Sequence, residues 1–461
     1  MIKDSIEGII ARARVAQVAY EMGGSQERYD RAAAAVAWAI MEPARNRELA
    51  ELAVETTGLG NVPDKITKNH RKTLGLMRDI KGVATFGVIS DDPETGLTEI
   101  ARAKGVVGAI VPSTNPAATP ANNIINALKC GNSIVLAPSP KGVACAERLL
   151  EFVHAEFAKI GEDPDLVLMI PAPGSKEKTQ ALMEGCDMIV ATGSQNNVHR
   201  AQTAGTPAVA VGAGNVTVIV DETADLAAAA EKIRASKCFD NATSCSSENA
   251  VVVVDAVYDA FVVAMAAAGG AVVEDEAGIV AKLWPDGHLN RSVIAQDADK
   301  MIAALGLDVP EGTDYIAVPT DGIGPDHPLS GEKLSRVLAL YRAADFDAAV
   351  EKTDVIQRYQ GAGHSVGLHT SDPDRPMVLA TKIPTSRVIV NQAHTFATGG
   401  SFTNGMPFSL SMGCGTWGGN SVNENVNYRH FLQSTKIVRE IPPREPTLDE
   451  IFSDYWGAAG Q

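Results

Sequence analysis

The chain predicts an α/β protein built from parallel, doubly wound sheets, and three observations carry that expectation. From Val106 onward, short apolar runs of strand length alternate with segments of helical period. Several of those runs end in Gly-, Pro-, Asn- or Ser-rich turns, the position where open α/β sheets bind ligands. The length, 461 residues, exceeds what one compact core organises, so two or three domains are expected.

Taken in order, residues 5–60 read as helices, rich in Ala, Arg, Glu and Met, with apolar residues at helical spacing around Ala32–Met41. Val106–Pro112 is a buried strand ended by proline, followed by a helix over Asn122–Leu128. Ser133–Ala137 is a second strand and Cys145–Phe157 a second helix. Leu166–Ile170 is a third strand and Lys176–Met183 a third helix; Met188–Ala191 and Ala208–Val211 are the fourth and fifth strands. Beyond Asp240 the alternation resumes, with strands expected at Ala250–Val254, Ala271–Val273, Tyr315–Val318, Val337–Tyr341, Ser365–Leu368 and Arg387–Val390. Gly399–Gly419, rich in Gly, Ser, Thr and Asn, reads as a long irregular loop of the kind that lines a site. After Pro442-Pro443 short helical signals return, with an aromatic pair at Tyr455-Trp456, and no internal repeat is present.

The net charge of −16 argues against nucleic acid or an anionic membrane as a general partner. Met1–Ser5 holds no apolar signal core, and the apolar segment Val252–Val273 is broken by Asp255, Asp259 and Gly269-Gly270, so no membrane span is expected. The six cysteines have no paired spacing and no histidine cluster, which fits a reducing cytoplasm and gives no metal site.

Cys245 carries the chemistry. It stands in Phe239-Asp240-Asn241-Ala242-Thr243-Ser244-Cys245, a small polar run just before the apolar Val251–Val254. A thiol on a short loop before a buried strand can act as a nucleophile, although a free cysteine is also a common core residue. A thiolate adding to a carbonyl creates an oxyanion, which needs a fixed donor. Asn115, in Pro112-Ser113-Thr114-Asn115-Pro116, can supply that amide, or it can be only a turn former. Thr192-Gly193-Ser194 follows the fourth expected strand and opens a helix, where free N–H groups and the macrodipole favour a phosphate. Alone, such a turn is an ordinary helix start. A further turn, Gly212-Ala213-Gly214-Asn215, follows the fifth strand.

The succession Pro-x-x-Asn-Pro, Thr-Gly-Ser, Gly-Ala-Gly-Asn, Phe-Asp-Asn-(three)-Cys, Gly331-Glu332-Lys333-Leu334-Ser335 and Gly413-Cys414-Gly415-Thr416-Trp417-Gly418-Gly419-Asn420-Ser421 resembles the aldehyde dehydrogenase superfamily, and within it the CoA-acylating branch. That resemblance implies two doubly wound α/β domains plus a small oligomerisation hairpin. Residues 1–237 would form the nicotinamide-cofactor-binding domain, with 429–461 returning as a tail or oligomerisation segment, and 238–428 the catalytic domain. It also implies Cys245 as nucleophile and Asn115 as oxyanion donor. Thr114, Pro138, Ser139, Thr192, Gly193, Ser194, Gly212, Ala213, Gly214 and Glu332 would contact the cofactor, with Glu332 on the nicotinamide ribose. A homodimer or homotetramer is implied in the same way.

Two departures from other members bear on mechanism. Hydrolytic relatives carry Glu-Leu-Gly-Gly where this chain has Ala210-Val211-Gly212-Ala213, and alanine cannot activate water. A Cys245 thioester should then persist until the thiolate of CoA takes the acyl group. Relatives that use NAD often have Lys-Pro-x-Glu after the second strand; here Ala137-Pro138-Ser139-Pro140-Lys141 has no carboxylate to repel a 2′-phosphate, so NADP as well as NAD is expected. His394, Thr395, Phe396 and Thr398 are expected to line the aldehyde pocket. Asn391–Phe396 resembles enzymes acting on sulfoacetaldehyde, with succinate semialdehyde and acetaldehyde or propionaldehyde as alternatives. No Lys or Arg occurs between Val388 and Tyr428, so an anionic tail would rest on hydroxyls, backbone N–H groups, His394 or a distant residue such as Arg387. The alternative of another class is a catalytically silent binding or structural paralogue.

Overall fold

The computed structural model describes residues 5–459. Met1–Asp4, part of the segment read for a signal core, lie outside the described residues. Helices Ile6–Met22, Gln26–Met41, Pro43–Thr57 and Val62–Ile80 come first. An antiparallel hairpin follows, β1 (Val88–Asp92) and β2 (Leu97–Ala103). The chain then enters a parallel five-stranded sheet: β3 (Val106–Val111), β4 (Ser133–Pro138), β5 (Val167–Met169), β6 (Met188–Thr192) and β7 (Ala208–Val211), in the order β5-β4-β3-β6-β7. A parallel seven-stranded sheet comes next. It contains β8 (Val216–Val220), β9 (Glu248–Val254), β10 (Gly270–Val272), β11 (Tyr315–Pro319), β12 (Val337–Ala343), β13 (Val366–His369) and β14 (Val388–Val390). Their order is β10-β11-β12-β9-β8-β13-β14. Last, β15 (Leu432–Val438) returns to pair antiparallel with β2, and helix Leu448–Ala459 ends the described chain.

Strands β3 and β4 are buried along their whole length, as expected for a sheet covered by helices on both faces. The sequence order of the five-stranded sheet reverses between β3 and β6, so the turns after these two strands flank a topological switch point. Every strand expected from the sequence is present, and four went unread: β1, β2, β8 and β15. The omission of β8 misplaces the domain boundary. Val216–Val220 joins the seven-stranded sheet beside β9 and β13, and helix Leu226–Cys238 packs on that sheet's face, so the division expected after residue 237 falls between Val211 and Val216. The connector 212–215 is too short for a crossover helix, so β8 cannot return beside β7 and the chain passes to the second sheet. The expected hairpin is a three-stranded sheet, because β15 adds to β1 and β2. Among the described residues no helix is long and apolar enough to cross a membrane.

Helix Val62–Ile80 inverts the usual pattern. Asn61 caps it, its side chain accepting from the Asp64 N–H at 2.9 Å, and Pro63 occupies the first turn. Its buried face carries Lys65, Lys68, Asn69 and Lys72 beside Leu76 and Ile80. Three lysines at positions i, i+3 and i+7 thus point inward, which demands compensation from whatever faces them.

Candidate active site

A cavity of about 530 Å³ lies between the two parallel sheets, floored by the Cys245 loop and walled by the turns after β3, β6 and β7 and by helix Val62–Ile80. That volume suits a small-molecule site. Of the residues expected at the site, Thr114, Asn115, Ser139, Thr192, Gly193, Ser194, Gly212, Ala213, Cys245, Glu332, Thr395 and Phe396 line it.

Four expected residues lie outside that lining. Pro138 is the last residue of β4, one residue short of the turn. Gly214 packs behind the nucleophile loop, where an added Cβ would come within 2.3 Å of the Cys245 carbonyl oxygen. His394 is 1% exposed and bonds Ser365 Oγ at 2.8 Å, pressed against the Gly367 backbone. Thr398 is fully buried and spends its hydroxyl on the His394 carbonyl at 2.9 Å. The short helix His394–Thr398 explains the split: Thr395 and Phe396 face the cavity, while the two flanking residues turn into the protein. Arg387 is likewise spent, giving its guanidinium to the carbonyls of His364, Gly413 and Asn423 and to Asn425 Oδ1 at 2.8–3.2 Å. Ala210 points into an apolar layer, and Glu332 is the one carboxylate among the described lining residues.

The turn that presents Cys245 is strained. Asp240, Asn241 and Ala242 adopt φ of 49°, 54° and 61°, three consecutive left-handed residues that are not glycine. A dense polar network holds them. The Asp240 N–H donates to Asp64 Oδ2 at 2.7 Å, the Asn61 N–H to Asp240 Oδ1 at 3.1 Å, and Arg336 to Asn241 Oδ1 at 2.6 and 3.1 Å. Asp240 Oδ2 receives Lys65, Lys68 and the Thr243 hydroxyl. Burial alone would raise the Asp240 carboxyl, but Lys68 and then Lys65 overcome it and hold the group below its ordinary range.

The same lysines reach the β3 turn. Lys65 Nζ donates to the Thr114 carbonyl at 3.1 Å and Lys68 Nζ to Asn115 Oδ1 at 3.0 Å. An ammonium only donates, so Lys68 must face the amide oxygen, and the Asn115 NH₂ is turned to the other side. Sequence reading missed these lysines, because a Lys-rich helix face normally signals solvent.

Cys245 is half-buried and, of the six free cysteines, the one that lines the cavity. Burial, and after it the Glu332 carboxylate, push its thiol up to about 12. Glu332 is raised to about 7 by burial, against the pull of Lys237 and Lys333. Its carboxylate has no partner among the described residues, while its N–H donates to Gln360 Oε1 at 2.9 Å. The Ser139 hydroxyl is buried and unpartnered. Gly193 has φ 150°, a conformation costly for any residue with a Cβ, and Ser194 caps helix Gln195–Thr203. Unspent acceptor and hydroxyl groups, together with a glycine turn at a helix N-terminus, fit the ribose and pyrophosphate of a dinucleotide. Lys141 is exposed, its ammonium 3.4 Å from the Thr57 carbonyl.

Comparison with known proteins agrees with this geometry. Residues 3–277 match the aldehyde dehydrogenase family. The chain is 54% identical to the sulfoacetaldehyde dehydrogenase (acylating) of Cupriavidus necator, covering 99% of this chain and 94% of that protein. It is 36% identical to the succinate-semialdehyde dehydrogenase (acetylating) of Clostridium kluyveri, over 97% and 99% of the two chains. The crystal structure of an acetylating aldehyde dehydrogenase from Geobacillus thermoglucosidasius superposes with a TM-score of 0.91 at 30% identity, covering 96% of this chain and 98% of that one. Cavity, motifs and full-length similarity converge: the chain belongs to the aldehyde dehydrogenase family.

Proposed function

We propose that the protein is a CoA-acylating aldehyde dehydrogenase that oxidises sulfoacetaldehyde with NADP or NAD and delivers the acyl group to CoA. The observation that carries this reading is a cavity holding Cys245 and the Asn115 amide together, with Glu332 as the one carboxylate among the described lining residues. Full-length similarity to an acylating sulfoacetaldehyde enzyme supports the substrate.

The Cys245 thiolate adds to the aldehyde carbon, and the oxyanion that forms is held by the Asn115 NH₂ and the Cys245 backbone N–H. Glu332 would hold the ribose of a nicotinamide cofactor and Gly193 and Ser194 its pyrophosphate, and that cofactor would accept the hydride lost from the adduct. Losing hydride converts the adduct into a thioester on Cys245. The Asn115 amide cannot activate water, and Glu332 would be engaged with the cofactor ribose, so the thioester waits. The CoA thiolate then attacks the same carbonyl, and the Cys245 thiolate leaves. Lys68 is a positioning residue that aims the Asn115 amide.

A homo-oligomer is part of this reading. Edge strand β15 exposes Ile437 and Val438, and helix Leu448–Ala459 exposes Leu448, Ile451, Phe452 and Tyr455, apolar surface of the kind that a second copy covers. The free cysteines suit the reducing cytoplasm as its location.

The test is a panel of sulfoacetaldehyde, succinate semialdehyde, propionaldehyde and acetaldehyde, each assayed with CoA and either NADP or NAD. The expected result is the highest kcat/KM for sulfoacetaldehyde, with sulfoacetyl-CoA as product. A higher kcat/KM for acetaldehyde overturns the substrate, and no turnover of any aldehyde favours the silent paralogue.

A further inference from the structure

Among the described residues that line the cavity, Arg71 is a cation with no hydrogen bond or ion pair. It lies on helix Val62–Ile80, half-buried in the lining, with its guanidinium 4.8 Å from the centre of the Phe396 ring and 5.9 Å from that of Phe402. Stacking fixes the plane of the guanidinium and leaves its N–H groups free. Among the described residues it has no hydrogen bond and no ion pair. The comparable interior arginines are all engaged: Arg45 with Glu156, Arg336 with Asn241, Arg375 with Asp221, and Arg387 with four carbonyl or amide oxygens. Burial draws the Arg71 pKa down, the mark of a charge that has lost water and gained no partner.

A second unsatisfied donor lies next to Phe396 in the chain. Thr395 is 6% exposed, lines the same cavity next to Phe396, and its hydroxyl has no partner. Buried hydroxyls are normally paired, so this one points to a ligand. Lys72 lines the cavity too, its Nζ against the carbonyls of Gly399 and Ser409, and burial draws its pKa down to about 7. In a chain of net charge −16, the Arg71 guanidinium offers an anionic ligand the opposite sign.

We propose that Arg71, assisted by the Thr395 hydroxyl, is the specificity-determining site that binds the sulfonate of the aldehyde substrate. The assignment rests on the sulfoacetaldehyde reading above and deepens it. A sulfonate offers three acceptor oxygens on one sulfur. Two suit the forked guanidinium and the third suits a hydroxyl donor. Binding would restore to Arg71 the partners that burial removed, so the cost of its desolvation is repaid only by an anionic tail. A neutral aldehyde repays none of it. Arg71 would set the tail while Cys245 and Asn115 meet the carbonyl at the other end.

The experiment measures kcat/KM for sulfoacetaldehyde and for propionaldehyde in the full-length wild type and in Arg71→Gln, Arg71→Lys and Thr395→Val. Arg71→Gln is expected to lower the sulfoacetaldehyde-to-propionaldehyde ratio by about 10²-fold, mostly through KM, with Arg71→Lys recovering part of it and Thr395→Val losing about tenfold. Ethanesulfonate is expected to compete with propionaldehyde in the wild type and to do so far more weakly in Arg71→Gln. Equal losses for both aldehydes overturn the inference, because Arg71 is then structural. A rise in the KM of CoA or NADP larger than that of sulfoacetaldehyde also overturns it, because Arg71 then serves a nucleotide phosphate. A wild type that turns over propionaldehyde but not sulfoacetaldehyde refutes the substrate reading instead.

Discussion

The two walls of the cavity are built on opposite principles. The nucleotide wall uses backbone and small residues: Gly193, Ser194, Gly212 and Ala213, set where strands end and the sheet order reverses. The opposite wall is one helix, Val62–Ile80, that turns Lys65, Lys68, Arg71 and Lys72 inward. The first wall offers N–H groups and open space to a common cofactor. The second holds charge that fixes the Asn115 amide on one side and, through Arg71, selects an anion on the other. General chemistry is thus carried by backbone, and specificity by long side chains borrowed from a distant segment.

Four perturbations test this division, from the largest expected effect to the smallest. Cys245, pushed up to about 12 against an ordinary 9.0, should be about 10³-fold less thiolate than a free cysteine at neutral pH. Iodoacetamide should therefore alkylate the unliganded enzyme slowly, with a rate that climbs through pH 10. A rate plateau near pH 8 contradicts the burial argument.

Asn115→Ala should lower kcat by about 10²–10³-fold, the usual cost of one oxyanion donor. A change confined to KM would remove Asn115 from that role. Lys68→Met should lower kcat about tenfold while acting through Asn115, so in the Asn115→Ala background it should lower kcat little further. Multiplicative losses would make Lys68 independent of the amide. The same variant leaves Asp240 buried with Lys65 alone, so denaturant unfolding should report a loss approaching the ~3–5 kcal/mol typical of a broken buried pair.

The smallest effect belongs to the nucleotide wall. Burial raises Glu332 to about 7, so the folded state holds its proton more tightly than the unfolded chain does. Its contribution is fully present below about pH 4.5 and is lost as pH rises through about 7. Glu332→Gln should therefore gain Tm over the wild type across that interval, by a few degrees at most, and keep the gain above it. A difference independent of pH contradicts the shift.

The walls also differ in how far the sequence disclosed them. Gly193 and Ser194 were readable because a turn after an apolar strand has a local signature, and that signature sits at the sheet end by geometry. Asn115 was readable for the same reason, and Cys245 from a small polar run just before an apolar strand. Arg71, Lys68 and Lys72 were not, since lysine and arginine at helical spacing read as a solvated face and only the fold turns that face inward. One signal was present: Asn61 and Pro63 mark a helix start just before the run. The edges of the fold were obscured by how they connect. β8 runs on from the Gly-rich turn without a crossover helix, and β15 pairs with β2 across more than 300 residues, a partnership that no local pattern encodes. His394 and Thr398 show the converse limit, because a five-residue helix sends Thr395 and Phe396 to the cavity and turns His394 and Thr398 into the protein.

The account's central claim is that the Cys245 thioester waits for CoA. A rapid-mixing measurement of NADPH formation from sulfoacetaldehyde without CoA addresses it directly. The predicted result is a burst of about one equivalent per chain that then stalls, with an acyl group on Cys245 by mass spectrometry and turnover resuming when CoA is added. Continued linear NADPH formation in the absence of CoA, at the rate seen with it, would contradict the claim, because water would then be releasing the acyl group.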